Sequence, residues 1–197
     1  IGDRGISMIL DIFADIEKDR GYHDQRFTIE HAQHMAQKDF ERFAKLHVIA
    51  SMQPYHAIDD GRWAKGRLGH ERTRYSYAWR SFLDHGVALA FGTDWPVAPL
   101  DPILGLYAAV TRATLDGKNP GGWFPEEKIT LPEAIEAYTM GAAFAEFQER
   151  EKGSITAGKL ADMVMLSDNI FDLRLEAIRN VKVKTTIVSG KVVYGEW

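Results

Sequence analysis

The sequence predicts an α/β protein built on a parallel sheet and followed by a small β module. Two observations predict the sheet. Three short apolar segments read as strands, and segments with helical spacing separate each from the next. A third predicts the module: past Gly153 the helical spacing stops and strand-like runs take over.

Taken in order, Gly5 to Asp19 repeats apolar residues at helical spacing, with Ile6, Ile9, Leu10, Phe13 and Ile16. Arg26 to Glu30 reads as the first strand, and a helix is expected from about Gln37 to Leu46. Val48 to Met52 is the second strand, followed by a long polar loop and then a helix around Tyr75 to His85. The third strand, Val87 to Phe91, shows no polar alternation, as expected of a strand buried on both faces. Thr130 and Glu133 make a Thr-x-x-Glu capping box, with Pro132 tolerated in the first helical turn. Leu131, Ile135, Tyr138, Ala142 and Ala145 then mark one apolar stripe. Ala161 to Leu166 is strand-like, and Thr185 to Val188 and Val192 to Tyr194 flank Ser189-Gly190-Lys191, a hairpin signal. A boundary near residue 152 divides the chain into residues 1–152 and a small β-sandwich module over residues 153–197.

Composition narrows the function classes. The 197 residues are 45% hydrophobic and 26% charged, ordinary for a globular chain that buries a core. A net charge of −4 gives no reason to expect a nucleic-acid partner. With no cysteine, neither a disulfide nor a thiolate metal site can form within the chain, so a metal needs His, Asp, Glu or a modified lysine. No apolar run approaches the roughly 18 residues of a membrane span, and neither a span nor a signal peptide is expected. A cytoplasmic location is the default expectation. The first residue is Ile1 rather than methionine, so the chain is expected to start partway along a longer polypeptide.

Each strand ends in polar residues: Glu30-His31, then Gln53-Pro54-Tyr55-His56, then Gly92-Thr93-Asp94. In β/α barrels the loops at that end converge on one mouth, which would bring His31 and Asp94 toward a common metal. Each also has a plainer reading. A single strand-end histidine can be a hydrogen-bonded structural residue, and Gly-Thr-Asp-Trp-Pro can be a turn. His34 reads as a solvated helix-start residue, and His23, His47, His70 and His85 as surface residues. Arg62, Lys65, Arg67, Arg72, Arg74 and Arg80 are interleaved with Asp59, Asp60, Glu71 and Asp84, the pattern of a solvated loop and helix face. The turn-rich loop from Asn119 to Pro125 closes over a substrate or packs on the surface.

Several segments in the same order carry a resemblance. They are Ile1-Gly2-Asp3-Arg4, Ile29-Glu30-His31-Ala32-Gln33, Ser51-Met52-Gln53-Pro54, Ala78-Trp79-Arg80-Ser81, Gly92-Thr93-Asp94-Trp95-Pro96-Val97, Lys152-Gly153-Ser154-Ile155 and Gly158-Lys159-Leu160-Ala161-Asp162. Over essentially its whole length the chain resembles the amidohydrolase superfamily, in particular the group of N-substituted formamide deformylases and proteins labelled exoenzyme regulatory protein. The resemblance implies the last three β/α units of a (β/α)8 TIM barrel followed by a small β module. It implies His31 as the metal ligand at the end of barrel strand six. Asp94, at the end of strand eight, would bind metal and handle the proton of the attacking water. His56 and Gln53 would line the substrate pocket from the strand-seven loop, with Trp95 beside them. His56 is the candidate for stabilising negative charge on the substrate carbonyl.

The cofactor so implied is one or two divalent metal ions, zinc foremost. The reaction is hydrolysis of a C–N bond in a small-molecule amide, N-formyl or cyclic amide substrate, with no nucleic acid and no membrane involved. The family's strand-one His-x-His, its strand-four lysine or carboxylate, and the histidine before Ile-Gly-Asp-Arg have no counterpart here. The chain alone is therefore expected to hold zinc weakly or not at all and to be silent. One alternative is a regulatory or ligand-binding protein that keeps the fold without the reaction. Another is a phosphoester or deaminating hydrolase. Three strands cut from a barrel leave two free edges, so another copy of the chain or the rest of the parent protein is expected to cover them.

Overall fold

The computed structural model describes residues 1–196. Helix α1 (Asp3–Arg20) turns Ile6 and Leu10 inward, as its spacing predicts. Strands β1 (Thr28–Glu30), β2 (Ile49–Met52) and β3 (Leu89–Phe91) form a parallel sheet in that order. Helix α2 (Asp39–Lys45) joins β1 to β2. The first strand starts later than expected because Arg26 has φ 44, outside the extended region.

Between β2 and β3 the expected polar loop is instead three short helices, α3 (Pro54–Asp60), α4 (Ala64–Leu68) and α5 (His70–Thr73), before α6 (Trp79–Asp84). These helices are too short for an amphipathic period to show. They are anchored by small or single buried residues such as Ala57, Ile58, Ala64 and Thr73. Helix α7 (Pro102–Thr111) escapes the spacing argument for the opposite reason, being buried almost all round. Its start chemistry is its signal: Asp101 accepts from the Ile103 N–H at 2.9 Å, and Pro102 opens the helix.

Pairing places Ile29 beside Ala50, Ala50 beside Leu89, and Met52 beside Phe91, so these residues share one face. That face is buried by the chain's own helices. Phe40 and Phe43 of α2 meet Phe82 of α6 at 5.0 Å, and Trp79 meets Phe91 at 6.0 Å. On the other face Ile49 and Ala90 are buried, while Thr28, Glu30 and Ser51 reach solvent to differing degrees. Ile29, Ile49, Leu89 and Phe91 are all buried.

The capping box forms in both directions, with Thr130 accepting from the Glu133 N–H and Glu133 accepting from the Thr130 N–H. Helix α8 (Leu131–Glu136) runs through a π turn (Ala137–Gly141) into α9 (Ala142–Ala145). The buried residues are Leu131, Ala134, Ala137 and Ala143, while Ile135 and Tyr138 of the predicted stripe are partly buried and pack against the core. Small residues there allow close approach to β3: a Cβ on Gly141 would lie 2.1 Å from the Leu89 carbonyl oxygen.

Strands β4 (Met163–Leu166), β5 (Val183–Val188) and β6 (Lys191–Gly195) make an antiparallel sheet. Ser189 and Gly190, both at positive φ, form the two-residue turn that the sequence signals. Among the described residues this region holds one three-stranded sheet. No helix among the described residues is long and apolar enough to cross a membrane.

Arg112 ends α7 in the left-handed region and is wholly buried. Its guanidinium donates to the carbonyls of Trp123 (2.6 Å), Tyr77 (2.6 Å) and Ser76 (3.1 Å). It lies 4.8 Å from the Trp79 ring centre and 5.5 Å from that of Trp123. Burial pushes its pKa down to about 10, which still leaves it charged at neutral pH. Replacing Arg112 by methionine strands three carbonyls, two of them bonded at 2.6 Å. The expected cost is on the order of 3–5 kcal/mol. Urea unfolding should show a lowered midpoint, with Arg112→Lys failing to restore it because one ammonium cannot span the fork.

Arg26 donates to both oxygens of Glu149 at 2.8 and 2.9 Å and lies over the rings of Phe144 and Phe147. The hydrogen bonds from Arg26 hold the Glu149 carboxyl down at about 2, against an ordinary value of 4.5. A depressed carboxyl stabilises the fold above its unfolded pKa, and that contribution is lost as pH falls from about 4.5 through about 2. Glu149→Gln should therefore flatten the acid decline of unfolding free energy within that window and leave its shape above pH 5 unchanged.

A candidate metal centre at the strand ends

Three strand ends deliver three polar side chains to one place. His31 follows β1 directly with φ 69, and Ala32 continues the left-handed turn at φ 39. Asp94 lies past β3 with φ 61. Such values in non-glycine residues cost roughly 1–3 kcal/mol each and concentrate at functional sites. His56 sits in the first turn of α3, which Pro54 opens straight after β2.

One ligand atom from each of His31, His56 and Asp94 lies within 4.8 Å of the others, and all three residues are half-buried. His56 Nε2 is 3.1 Å from Asp94 Oδ2, and the two imidazole centres are 6.3 Å apart. His31 Nδ1 meets Gln53 Oε1 at 2.8 Å. The other end of that amide faces the Glu30 carboxylate at 3.5 Å, which also accepts from Ser51 Oγ at 2.8 Å. A carboxylate only accepts, so the amide nitrogen belongs on its side and the amide oxygen on that of His31. His31 then carries its proton on Nδ1 and keeps the Nε2 lone pair free. The free Nε2 of His31 and the Asp94 carboxylate, with one histidine held by an outer partner and His56 hydrogen-bonded to Asp94 beside them, suit a zinc-like divalent ion, so the residues present fit such a group.

His31 and Asp94 come together as the sequence leads one to expect. His56, expected as a pocket residue, lies beside them, with Nε2 3.1 Å from Asp94 Oδ2. Gln53 is buried at 7% exposure and is engaged with His31 and Glu30. Trp95 stands 65% exposed. His34 is not the solvated residue expected. Its Nδ1 lies 2.7 Å from Ser76 Oγ, and burial lowers its pKa. Asp60, read from sequence as part of a charged surface, accepts from Gln33 Nε2 at 2.8 Å and from the Tyr77 hydroxyl. Its available signal was its place one helical turn after His56. Burial, followed by the Asp60 charge, raises the Tyr77 phenol well above its usual range and keeps it a donor. Trp123 is buried against Arg112, so the loop around it is packed rather than free.

The sequence profile of the amidohydrolase family matches residues 1–194. The chain belongs to the amidohydrolase family. The protein LONG AFTER FAR-RED 3 of Arabidopsis thaliana is 40% identical over 195 residues, covering 98% of this chain and 33% of that protein. An N-substituted formamide deformylase of Arthrobacter pascens is 28% identical over 195 residues, covering 98% of this chain and 35% of its own. Among solved structures, a metal-dependent hydrolase of Pyrococcus furiosus superposes with a TM-score of 0.67 at 31% identity, over 81% of this chain and 30% of that one. This amidohydrolase chain thus spans about a third of the length of the relatives it matches.

The Gln53 contact makes a direct prediction. In neutral His31 the proton should reside on Nδ1, visible in the nitrogen shifts of a long-range ¹⁵N–¹H spectrum. Gln53→Leu should abolish that bias while His56 keeps its own pattern.

Proposed function

We propose that this amidohydrolase chain supplies part of the metal centre of a hydrolase that cleaves the C–N bond of a small amide, N-formyl or cyclic amide substrate. The observation that carries the reading is the convergence of His31, His56 and Asp94 from the ends of three parallel strands. The deformylase named above is one relative whose reaction is of this kind. The relatives' greater length supports a reading in which further ligands lie on another part of a longer polypeptide. In it the three strands are the last β/α units of a (β/α)8 barrel, and residues 153–197 form the accompanying β module.

When bound, a divalent ion supplies an activated water at neutral pH and polarises the scissile carbonyl. His31 would hold such an ion through Nε2, because Nδ1 is committed to Gln53. Asp94 has two carboxylate oxygens, so it can hold the ion and still accept the proton of the attacking water, later returning it to the leaving nitrogen. His56 donates from Nε2 to Asp94 before substrate enters. It is placed to donate to the carbonyl oxygen as negative charge develops there.

Hydrolysis of a panel of N-formyl amines, amides and cyclic amides by the full-length protein tests the reading. Asp94→Asn should lower turnover roughly a hundredfold or more, the scale of a lost general base. His56→Ala should lower turnover with metal content near that of the wild type, and loss of metal in that variant would place His56 among the ligands instead. Near-full activity in Asp94→Asn would overturn the mechanism. Stoichiometric metal with no turnover on any panel member would favour a regulatory protein on the same fold.

A further inference from the structure

We infer that Asp60 is a positioning residue that fixes the spacing of the two imidazoles by tying the loop of His31 to the helix of His56. The inference rests on the metal-centre reading above and concerns residues outside the donor set.

His56 and Asp60 lie one turn apart on α3 and share a helix face. Asp60 Oδ2 accepts from Gln33 Nε2 at 2.8 Å, and Gln33 is two residues beyond His31. The same oxygen accepts from the Tyr77 hydroxyl, while the Tyr77 N–H donates to the Gln33 carbonyl at 2.8 Å. Gln33, Asp60 and Tyr77 thus close a three-membered circuit. Gln33 is 8% exposed and Tyr77 1%, so water competes weakly for these bonds. Arg112 holds the Tyr77 carbonyl in turn, which keeps the phenol aimed at Asp60.

A carboxylate in the last turn of a helix opposes the helix dipole, so a merely structural helix end is better served by a cation or a neutral cap. Asp60 ends α3 against that preference. Its two donors offset the cost and anchor the helix by the turn that follows His56. The His31–Gln53 hydrogen bond already ties the N-cap of α3 to the β1 loop, and the Asp60 circuit ties its other end, so the helix is held at both ends rather than free to pivot about one.

The test uses the full-length protein loaded with cobalt(II), whose visible absorption reports ligand geometry, together with metal affinity from competition with a chromogenic chelator. Asp60→Asn keeps size and one acceptor but loses the charge, and Tyr77→Phe removes a single donor. Both should alter the cobalt spectrum and weaken affinity by freeing Gln33 and with it the loop that carries His31, by about 10- to 100-fold for Asp60→Asn as for other outer partners of metal ligands, and less for Tyr77→Phe. Melting curves identify variants that have simply unfolded. Should Asp60→Asn not fold, Tyr77→Phe and Gln33→Ala carry the same prediction. Variants that melt earlier yet bind cobalt with wild-type affinity and spectrum would overturn the positioning role and leave the metal centre standing. Wild-type protein that takes up no cobalt would overturn both.

Discussion

Arg112 is a charge with no carboxylate within ion-pairing distance among the described residues, wholly buried and satisfied by three carbonyls and two indole faces. Each carbonyl comes from a segment with its own task. Trp123 anchors the loop after α7, Ser76 meets His34, and Tyr77 leads to Asp60 and the helix of His56. Apolar packing alone would allow these segments to slide, because it sets contact without direction. A planar guanidinium with fixed donors does not allow it. The geometry of the strand-end site therefore depends on a group that never touches it.

Around that anchor the molecule divides its faces sharply. One face of the parallel sheet is closed by aromatic and aliphatic side chains from α2 and α6. On the other, Thr28, Glu30 and Ser51 reach outward, and the Glu30 carboxylate organises Ser51 and Gln53. That polar set orients His31. Order at the site thus comes from hydrogen bonds with definite direction, and order behind it comes from burial. The left-handed conformations of His31, Ala32 and Asp94 are the cost of turning the chain at the strand ends, and the packed face behind them holds those turns in place.

The π turn does similar work from the far side of β3. It puts Gly141 against the strand, and the Tyr138 hydroxyl reaches the Gly92 carbonyl at 3.4 Å, two residues before Asp94. Tyr138 also lies against Gly105 of α7, where a Cβ would fall 1.8 Å from the hydroxyl. The π turn thus meets the third strand through Gly141 and α7 through Gly105.

The alternation of apolar runs and helical spacing was enough to place the three parallel strands, α1, α2 and the capped helix at Thr130. Those features arise from patterns local to a few turns of chain. The motifs around His31 and Asp94 likewise pointed to the amidohydrolase family without any geometry. Helices α3 to α5 and α7 were not legible, the first for want of length and the last for want of a polar face. The role of Gln53 was hidden because amide orientation is set by Glu30, a partner on a different strand. Asp60 looked like surface charge because its donors, Gln33 and Tyr77, are 27 and 17 residues away in the chain. Sequence alone determined which residues could do chemistry and on which strand ends they stand. Tertiary structure decided that His56 joins His31 and Asp94, and that a buried arginine and a helix-end aspartate hold them there, since hydrogen-bond direction between distant segments exists only once the chain has folded.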